Sequence, residues 1–303
     1  MANLFRNIWS IFSRTRSLPP NPPNPPPPPL LDEPWLKLNW GDRENDLQFI
    51  NNYKPKGEGH HQFRILLHGP VGAGKSSFIN SVISALEAKI SHRAFANTGQ
   101  SSFTNEYKMY SIKKGNQGEM YPFVLNDMMG LKNLGRKYRR VYEKDMKMAM
   151  KGHIQDGYTF NPESALSKNN PLHYNKNPTI NDKVHILVSV IDADSVNRLD
   201  KSVVEIIQDI RDEATELGIP HVAILTKIDE VHPEINKDVK NFCRSQELQK
   251  KVKDLSNLVG IPQNCIFPLK NYHSEMMLND DMDALILKIL RRIIEIGDEK
   301  LSS

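Results

Sequence analysis

Cysteine is nearly absent from this chain, and so are long hydrophobic runs. The two cysteines, Cys243 and Cys265, lack the spacing of metal ligands, so we interpret them as free thiols in a reducing compartment. No stretch approaches the ~18 apolar residues that a membrane span requires. The N-terminus also lacks the apolar core and the cleavage site of a secretory signal. These absences predict a cytoplasmic protein.

A strong excess of charge of either sign is also lacking. The 303 residues carry 40 basic and 36 acidic side chains, which leaves a net charge of +4. No lysine- or arginine-rich tract is dense enough to suggest a nucleic-acid surface, and we predict no nucleic-acid partner. A hydrophobic content of 39% and a charged content of 25% are typical of a soluble globular chain, long enough for one large domain or two small ones.

Proline, by contrast, is concentrated near the N-terminus. Nine of the eleven residues from Pro19 to Pro29 are proline, so we predict a disordered, extended linker over residues 19–30. The run Arg16–Pro22 places a basic residue before a PxxP core, which is the arrangement that SH3 domains bind. A linker without a partner is the alternative interpretation, and we favour it.

Residues 1–18 precede this linker. Their apolar side chains fall on one face of a helix with basic residues behind them, as at Leu4, Phe5, Ile8, Trp9 and Phe12. A short amphipathic segment of this kind can lie on a membrane surface or dock into a partner's groove. Packing against its own domain is the plain alternative, and the residues leave both open.

The most informative motif follows the apolar run Ile65–Leu67. Its glycines permit the backbone angles that turn successive N–H groups toward one concavity, and the helix after it adds its positive N-terminal end. We expect Lys75 to reach the β- and γ-phosphates of a nucleotide and Ser76 to ligate Mg²⁺. The motif has the form GxxxxGK[ST]; with the serine after it, the predicted nucleotide-binding residues are Gly69, Pro70, Val71, Gly72, Ala73, Gly74, Lys75, Ser76 and Ser77.

A second cluster, Asp127–Gly130, has the pattern DxxG and follows another apolar run. At the end of a strand, Asp127 can hold Mg²⁺ through a water molecule, and the N–H group of Gly130 can approach a γ-phosphate. The pattern alone is also ordinary turn chemistry. Its position after a strand, downstream of the phosphate loop, favours the nucleotide interpretation.

The third cluster, Thr226–Asp229, has the form [NT]KxD that reads guanine. The Asp229 carboxylate can accept hydrogen bonds from the guanine N1–H and amino group, which adenine cannot supply, and the Lys227 stem can lie along the base. An aspartate that starts a helix is the alternative. Because open α/β sheets bind ligands at the carboxyl ends of their strands, where all three clusters fall, we predict GTP or GDP with Mg²⁺ as ligands.

Two further contacts have weaker signals. A threonine between the first helix and the second strand is expected beside the metal ion, and we favour Thr104 over Thr98. The loop of residues 269–271 is expected to contact the guanine O6 through its backbone, which adds Lys270 to the predicted nucleotide site. The predicted metal ligands are Ser76, Thr104 and Asp127.

Catalysis is where the pattern departs from well-known signalling GTPases. A glutamine next to the DxxG glycine orients the attacking water in those enzymes, and Leu131 stands at that position here. A leucine cannot orient water, so either another residue does so or turnover is slow. Arg136, Arg139 and Arg140 follow and offer positive charge in cis or across a homodimer. The solvated face of a helix is the interpretation that we favour for these arginines, and the catalytic residue stays unknown.

Strand and helix patterns alternate along the chain, which predicts an α/β fold with a mostly parallel sheet. We expect a P-loop NTPase, a three-layer sandwich around six strands, over residues 31–300, with an insertion around residues 145–183. The predicted strands are Phe63–His68, Glu106–Ile112, Pro122–Asn126, Val184–Ile191, His221–Leu225 and Cys265–Phe267. The clearest predicted helices are Ser76–Lys89, Asp200–Leu217, Asn236–Leu258 and Asp280–Glu295.

The chain resembles the interferon-induced protein 44 and 44-like family in the runs Gly69–Asn80, Gly99–Thr104 and Lys151–Pro162. The resemblance covers roughly residues 31–297. It implies a cytoplasmic, interferon-responsive protein of innate antiviral defence with a GTP-binding domain. Members of that family often carry an additional N-terminal domain, and the apolar segment and proline tract stand in its place here.

Two functions from different classes remain open on these residues. The first is a guanine-nucleotide-binding protein with slow or regulated hydrolysis, acting in the interferon-induced response. The second is a scaffold in which the nucleotide is structural and the N-terminal segment and the insertion bind partners. Leu131 keeps the second hypothesis open, because no glutamine orients water at its position.

Overall fold

A computed structural model describes residues 28–59, 61–94, 105–115, 118–133 and 135–302. The strands are β1 (Phe63–His68), β2 (Glu106–Lys114), β3 (Glu119–Asp127), β4 (Tyr158–Thr159), β5 (Ile186–Asp192), β6 (His221–Thr226) and β7 (Ile266–Pro268). The helices are α1 (Arg43–Asn52), α2 (Lys75–Glu87), α3 (Gly135–Met150), α4 (Lys201–Glu216), α5 (Pro233–Lys237), α6 (Gln246–Val259) and α7 (Asp280–Glu299). Residues 1–18, the Arg16–Pro22 motif, Thr98 and Thr104 lie outside the described residues.

One sheet forms the centre of the fold. Its strand order is β4-β2-β3-β1-β5-β6-β7. The strands from β3 to β7 in this order run parallel, whereas β2 pairs antiparallel with both β3 and β4. Every residue of β1 is buried, as expected for a central parallel strand covered on both faces. The predicted α/β fold with a mostly parallel sheet is confirmed.

Two groups of helices complete the three layers. Helices α1 and α2 both pack against α7, and α4 contacts both α3 and α6. Gly297 brings α7 close to the sheet, because a Cβ atom at this position would lie 2.4 Å from the Phe63 ring. The side chain of Asn279 caps the start of α7 by accepting from two backbone N–H groups. None of the helices in the described part of the chain is both long and apolar enough to cross a bilayer.

The structure corrects the predicted elements in three places. The sheet has a seventh strand, β4, which comes from the predicted insertion. The helix predicted over Asn236–Leu258 is interrupted, because Asp238 and Ser245 each cap a new helical turn with their side chains. Helix α3 is not among the predicted helices; its many charged residues hide a buried stripe that includes Tyr138, Tyr142 and Met146.

The last residues of the predicted linker contact the folded domain. His232 Nε2 lies 2.8 Å from the carbonyl oxygen of Pro28, and the Leu31 N–H donates to the Arg244 carbonyl at 2.8 Å. These bonds fasten the chain next to the turn that precedes α6. The division between linker and domain at residue 30 stays a prediction.

Candidate functional site

The loop between β1 and α2 requires glycine at two positions. Gly69 has a φ of +142°, and a Cβ atom there would lie 2.1 Å from the Val190 carbonyl oxygen. Gly74 precedes α2 with a φ of +92°. Only glycine adopts such angles at low cost, so the sequence pattern matches a real geometric need. The chain then enters α2 at Lys75.

Lys75, Ser76 and Asp127 form one polar cluster at the start of α2. The Ser76 hydroxyl donates to Asp127 Oδ2 at 2.9 Å, and Lys75 Nζ donates to the carbonyl oxygens of Gly69 at 3.1 Å and Pro70 at 3.2 Å. Burial lowers the pKa of Lys75, and the Asp127 charge opposes this shift. Burial raises the pKa of Asp127 against the opposing effects of Lys75 and Ser76. The structure therefore brings the predicted phosphate and metal residues together.

One oxygen of Asp127 has no partner in this cluster. Its Oδ1 atom is buried and accepts no hydrogen bond from the described residues, whereas buried polar atoms are normally bonded. Carboxylate oxygens, hydroxyl oxygens, water and substrate phosphates are the usual ligands of Mg²⁺. The residues present therefore fit a Mg²⁺ ion held by Ser76 and Asp127. Thr104, the third predicted ligand, lies outside the described residues.

The DxxG segment lies directly against the phosphate loop. The Leu131 N–H donates to the Gly69 carbonyl at 3.0 Å, and the Val71 N–H donates to the Leu131 carbonyl at 3.2 Å. Gly130 makes this approach possible, because a Cβ atom there would lie 2.6 Å from Val71 Cγ2. We call these two hydrogen bonds the Leu131 bridge. The position expected to hold a water-orienting glutamine therefore holds a buried leucine, fixed through both backbone groups.

Thr226 and Lys227 are each bonded to a neighbouring part of the same edge. The Thr226 hydroxyl donates to the carbonyl of Ala73 in the phosphate loop at 2.6 Å. Lys227 Nζ donates to Asp192 Oδ2 at 2.8 Å, and this carboxylate raises the pKa of Lys227 against the lowering effect of burial. Sequence reasoning treated Asp192 as a loop residue and missed this ion pair, because 35 positions separate the partners.

Asp229 is the open acceptor at this end of the site. It lies in the short turn Ile228–Glu230 that directly follows Lys227. Its side chain is half-buried, and no described residue donates a hydrogen bond to its carboxylate. An open carboxylate next to the phosphate loop is the acceptor that a guanine N1–H and amino group require.

The loop after β7 lies at the same edge of the sheet. Lys270 Nζ lies 3.3 Å from Glu275 Oε1 in an ion pair. Asn271 Nδ2 donates to the Gly74 carbonyl at 3.4 Å, while Asn271 Oδ1 is buried without a described partner. Sequence reasoning expected only backbone contacts from this loop. The polar side chain of Asn271 beside the glycine loop is therefore an addition, and its one sequence signal was its position next to Lys270.

The arginines that follow Leu131 differ in their surroundings. Arg139 donates to Glu143 at 2.7 Å and to Glu205 of α4 at 2.6 Å, and it also binds Asp209. It therefore joins α3 to α4 instead of facing the phosphate loop. Arg136 and Arg140 are exposed, in agreement with the solvated helix face that the sequence suggested.

Comparison with known proteins gives this geometry a family. The sequence model of the family described as 50S ribosome-binding GTPase matches residues 64–227. These are 164 of the 303 residues, more than half of the chain. The chain belongs to this GTPase family. The matched range runs from β1 through the phosphate loop and the DxxG segment to Lys227, so it contains most of the polar cluster.

Two curated human proteins are also similar over most of the chain. Interferon-induced protein 44 of Homo sapiens is 34% identical over 271 residues, which are 89% of this chain and 60% of that protein. Interferon-induced protein 44-like of Homo sapiens is 33% identical over 261 residues, 86% of this chain and 57% of that protein. The resemblance drawn from the sequence is confirmed. The chain spans about three fifths of the length of these relatives.

A solved structure supports the fold. The chloroplast translocon components atToc33 and psToc159, for which dimerization is described as important for GTPase activity, match with a TM-score of 0.50 and 17% identity. The match covers 86% of this chain and 96% of that chain. At this identity the likeness extends to the GTPase fold alone.

Proposed function

We propose that this chain binds GTP and GDP together with Mg²⁺ and hydrolyses GTP slowly. The observation that carries the proposal is the cluster of Lys75, Ser76 and Asp127, in which a buried carboxylate oxygen has no described partner. The open carboxylate of Asp229 lies at the same edge of the sheet. Together these groups offer a cation for phosphate, oxygen ligands for a metal and an acceptor for guanine.

Each of these side chains has a distinct task in the proposal. Lys75 exchanges its two carbonyl partners for phosphate oxygens, and Ser76 and Asp127 hold the metal ion. A bound Mg²⁺ neutralises negative charge on the β- and γ-phosphates. Lys227 lies along the base, Asp229 accepts from it, and the loop of Lys270 contacts its O6 atom. Thr104 completes the metal site in the proposal.

Slow turnover follows from Leu131. Its side chain has no donor or acceptor with which to orient a water molecule, and the Leu131 bridge fixes its backbone against the phosphate loop. The same observation favours the second candidate function, a scaffold in which the bound nucleotide is structural. Hydrolysis separates the two candidates: a turnover above the uncatalysed rate supports the enzyme, and binding without turnover supports the scaffold.

Calorimetry with purified protein tests the binding proposal. We expect GTP and GDP to bind in the presence of Mg²⁺ and ATP to bind at least about tenfold more weakly, since adenine lacks the N1–H and amino donors. Equal affinities for ATP and GTP would contradict the guanine assignment. Loss of GTP affinity on removal of Mg²⁺ with a chelator is the expected companion result.

We extend the proposal to the setting of the protein. Its relatives are named as interferon-induced, and we propose that this chain acts in the cytoplasm in the interferon-induced antiviral response. A rise of its transcript and protein after interferon treatment, with the protein in the cytoplasmic fraction, is the expected result. An unchanged level after treatment would contradict the induction.

A homodimer is a further part of the proposal. Exposed arginines such as Arg136 can supply charge to the site of a second copy, which a monomer without a water-orienting glutamine would need. We expect the specific rate of GTP hydrolysis to rise with protein concentration. A specific rate that is constant across the concentrations where a dimer forms would contradict this role.

For the N-terminus we keep the predicted division into residues 1–18, the linker 19–30 and a domain over 31–300 with an insertion around 145–183. Residues 1–18 are proposed to dock on a membrane surface or a partner, and Arg16–Pro22 to offer a site for an SH3 domain. Deleting residues 1–27 is expected to leave nucleotide binding intact and to change localisation or partner capture. If both stay unchanged, the segment is only a linker.

A further inference from the structure

The Lys151–Pro162 motif lies in the insertion after α3, and the proposed nucleotide contacts do not use it. The chain there forms β4 and a backbone bridge between Ile154 and Tyr174. The His153 and Tyr174 rings stack with centroids 5.1 Å apart. Several apolar side chains of the insertion are buried, namely Ile154, Tyr158, Phe160 and Leu166. The insertion is therefore a packed element with a definite shape.

One side of the insertion is bonded to the chain that enters β2. The Phe160 N–H donates to the Asn105 carbonyl at 2.7 Å, and the Gly157 N–H donates to the Tyr107 carbonyl at 2.9 Å. These bonds belong to the antiparallel pairing of β4 with the start of β2. Asn105 directly follows Thr104, the predicted metal ligand. A displacement of the segment that ends at Thr104 therefore acts directly on β4.

The other side of the insertion is bonded to α3 through Asp145. This side chain is 0% exposed, and its carboxylate accepts from the Leu166 N–H at 2.8 Å and from the Tyr158 hydroxyl at 3.1 Å. Burial raises the pKa of Asp145 to about 6, although both donors act in the opposite direction. Helix α3 begins at Gly135, five residues after Gly130 of the DxxG segment.

We propose that Asp145 is a positioning residue that couples the two chain segments beside the γ-phosphate, with the insertion as the rigid connection between them. Tyr158 is the shared part: its backbone lies in β4, and its hydroxyl binds Asp145. The proposal rests on the proposed function, because the signal is the γ-phosphate of GTP. The insertion then responds to GTP and not to GDP, which gives the Lys151–Pro162 motif a role outside direct nucleotide contact.

Hydrogen exchange measured by mass spectrometry tests the coupling in the full chain. With Mg²⁺ and the non-hydrolysable analogue GMPPNP, we expect exchange in residues 157–166 to slow at least about threefold relative to Mg²⁺ and GDP. A change confined to the phosphate loop, with residues 157–166 equal in both nucleotides, would overturn the coupling and leave the binding proposal intact. Absence of any nucleotide binding by calorimetry overturns the proposed function and the coupling together.

Two mild variants test the role of Asp145 itself. Tyr158→Phe and Asp145→Asn each weaken the connection while keeping the shape of the side chain. We expect both to lose at least about half of the GMPPNP-specific slowing and to reduce the preference for GMPPNP over GDP roughly threefold to tenfold. Retention of both wild-type values by the two variants overturns the proposal.

Tyr121→Phe is the matched control for these variants. It removes a tyrosine hydroxyl that donates to Asn51 Oδ1 at 2.6 Å, in the helix α1 region and outside the insertion. We expect this variant to keep the exchange pattern and the nucleotide preference of the wild type. If Tyr121→Phe lowers both to the same extent as Tyr158→Phe, the effect is general destabilisation and the positioning role fails.

Discussion

The phosphate end and the base end of the site differ in how their polar groups are satisfied. At the phosphate end, Lys75 and Asp127 are buried and bonded to the protein itself, through the Gly69 carbonyl and the Ser76 hydroxyl. At the base end, the Asp229 carboxylate is half-buried and no described residue donates to it. The base end is therefore ready for its ligand, whereas a nucleotide must replace internal bonds at the phosphate end.

This difference has an energetic consequence. Each internal hydrogen bond replaced at the phosphate end contributes about 0.5–1.5 kcal/mol to the nucleotide-free protein. Bonds between an ammonium and phosphate oxygens are roughly twice as strong as bonds between neutral groups, so the exchange favours the nucleotide. The largest loss of affinity is therefore expected from Lys75, and a smaller and more selective one from Asp229.

Lys75→Ala tests the phosphate end and has the largest expected effect. The variant loses at least two charge-assisted bonds to phosphate, each worth about 1.5–3 kcal/mol. We expect the affinity for GTP to fall by about 4 kcal/mol, or roughly a thousandfold, as measured by calorimetry. Lys89→Ala, which removes an exposed lysine just after α2, is the control and should bind GTP as the wild type does. Unchanged GTP affinity in Lys75→Ala would place the phosphates elsewhere.

Asp229→Asn tests the base end. An amide cannot accept from both the N1–H and the amino group of guanine as a carboxylate does, so GTP should lose about 3 kcal/mol, or roughly a hundredfold in affinity. Xanthosine triphosphate, with an oxygen in place of the amino group, should bind the variant better than the wild type. The neighbouring change Glu230→Gln alters an exposed carboxylate and serves as the control. A parallel loss of GTP and ATP affinity would argue against base selection by Asp229.

A buried histidine pair beneath the phosphate end gives a smaller, pH-dependent effect. The Ser189 hydroxyl lies 2.7 Å from His68 Nε2 and 2.8 Å from His221 Nε2. Burial lowers the pKa of His221 to about 3, helped by the Arg211 charge. Burial lowers the pKa of His68 well below its ordinary value, helped by His221 and Lys75. The unfolded chain therefore takes up protons first, and this contribution to stability is lost as the pH falls below about 6.5.

His221→Gln measures that contribution. Between pH 7 and pH 5 we expect the wild type to lose about 2 kcal/mol of unfolding free energy relative to the variant, from 1.36 kcal/mol per pH unit below the unfolded pKa. Urea unfolding at both pH values gives the comparison, and the opposite shift of Asp145 cancels because both proteins share it. Equal pH dependence in the two proteins would show that His221 titrates normally. His232→Gln, at the far end of the linker contact, is the control.

The histidine pair also shows where sequence reasoning ends. The pattern of Gly69–Ser76 and its flanking apolar runs predicted the loop, the strand and the helix, because these features are local. His68 had no visible partner in the sequence, since Ser189 is 121 positions away and meets it only through the pairing of β1 with β5. The same limit hid the ion pair of Lys227 with Asp192.

Longer connections set a second limit. The insertion was expected as a segment with some role, but its strand β4 has two residues and no periodicity to detect. Its place in the sheet depends on the side chain of Asp145 and on backbone bonds to the start of β2. Local patterns therefore predicted the central sheet and the clusters at its edge, while contacts between distant segments required the structure.

Leu131→Gln sharpens the comparison by changing the phosphate end alone, with the smallest expected effect. The Leu131 bridge holds the backbone of this residue beside the phosphate loop, so a glutamine amide at this position starts close to where water must be oriented. We expect the rate of GTP hydrolysis to rise about threefold to tenfold, near 1 kcal/mol in the barrier. GTP affinity, which depends on Lys75 and Asp229, should stay unchanged. Leu131→Met conserves volume without an amide and should keep the wild-type rate. If neither variant changes the rate, the missing amide is not what limits turnover, and the scaffold function gains support.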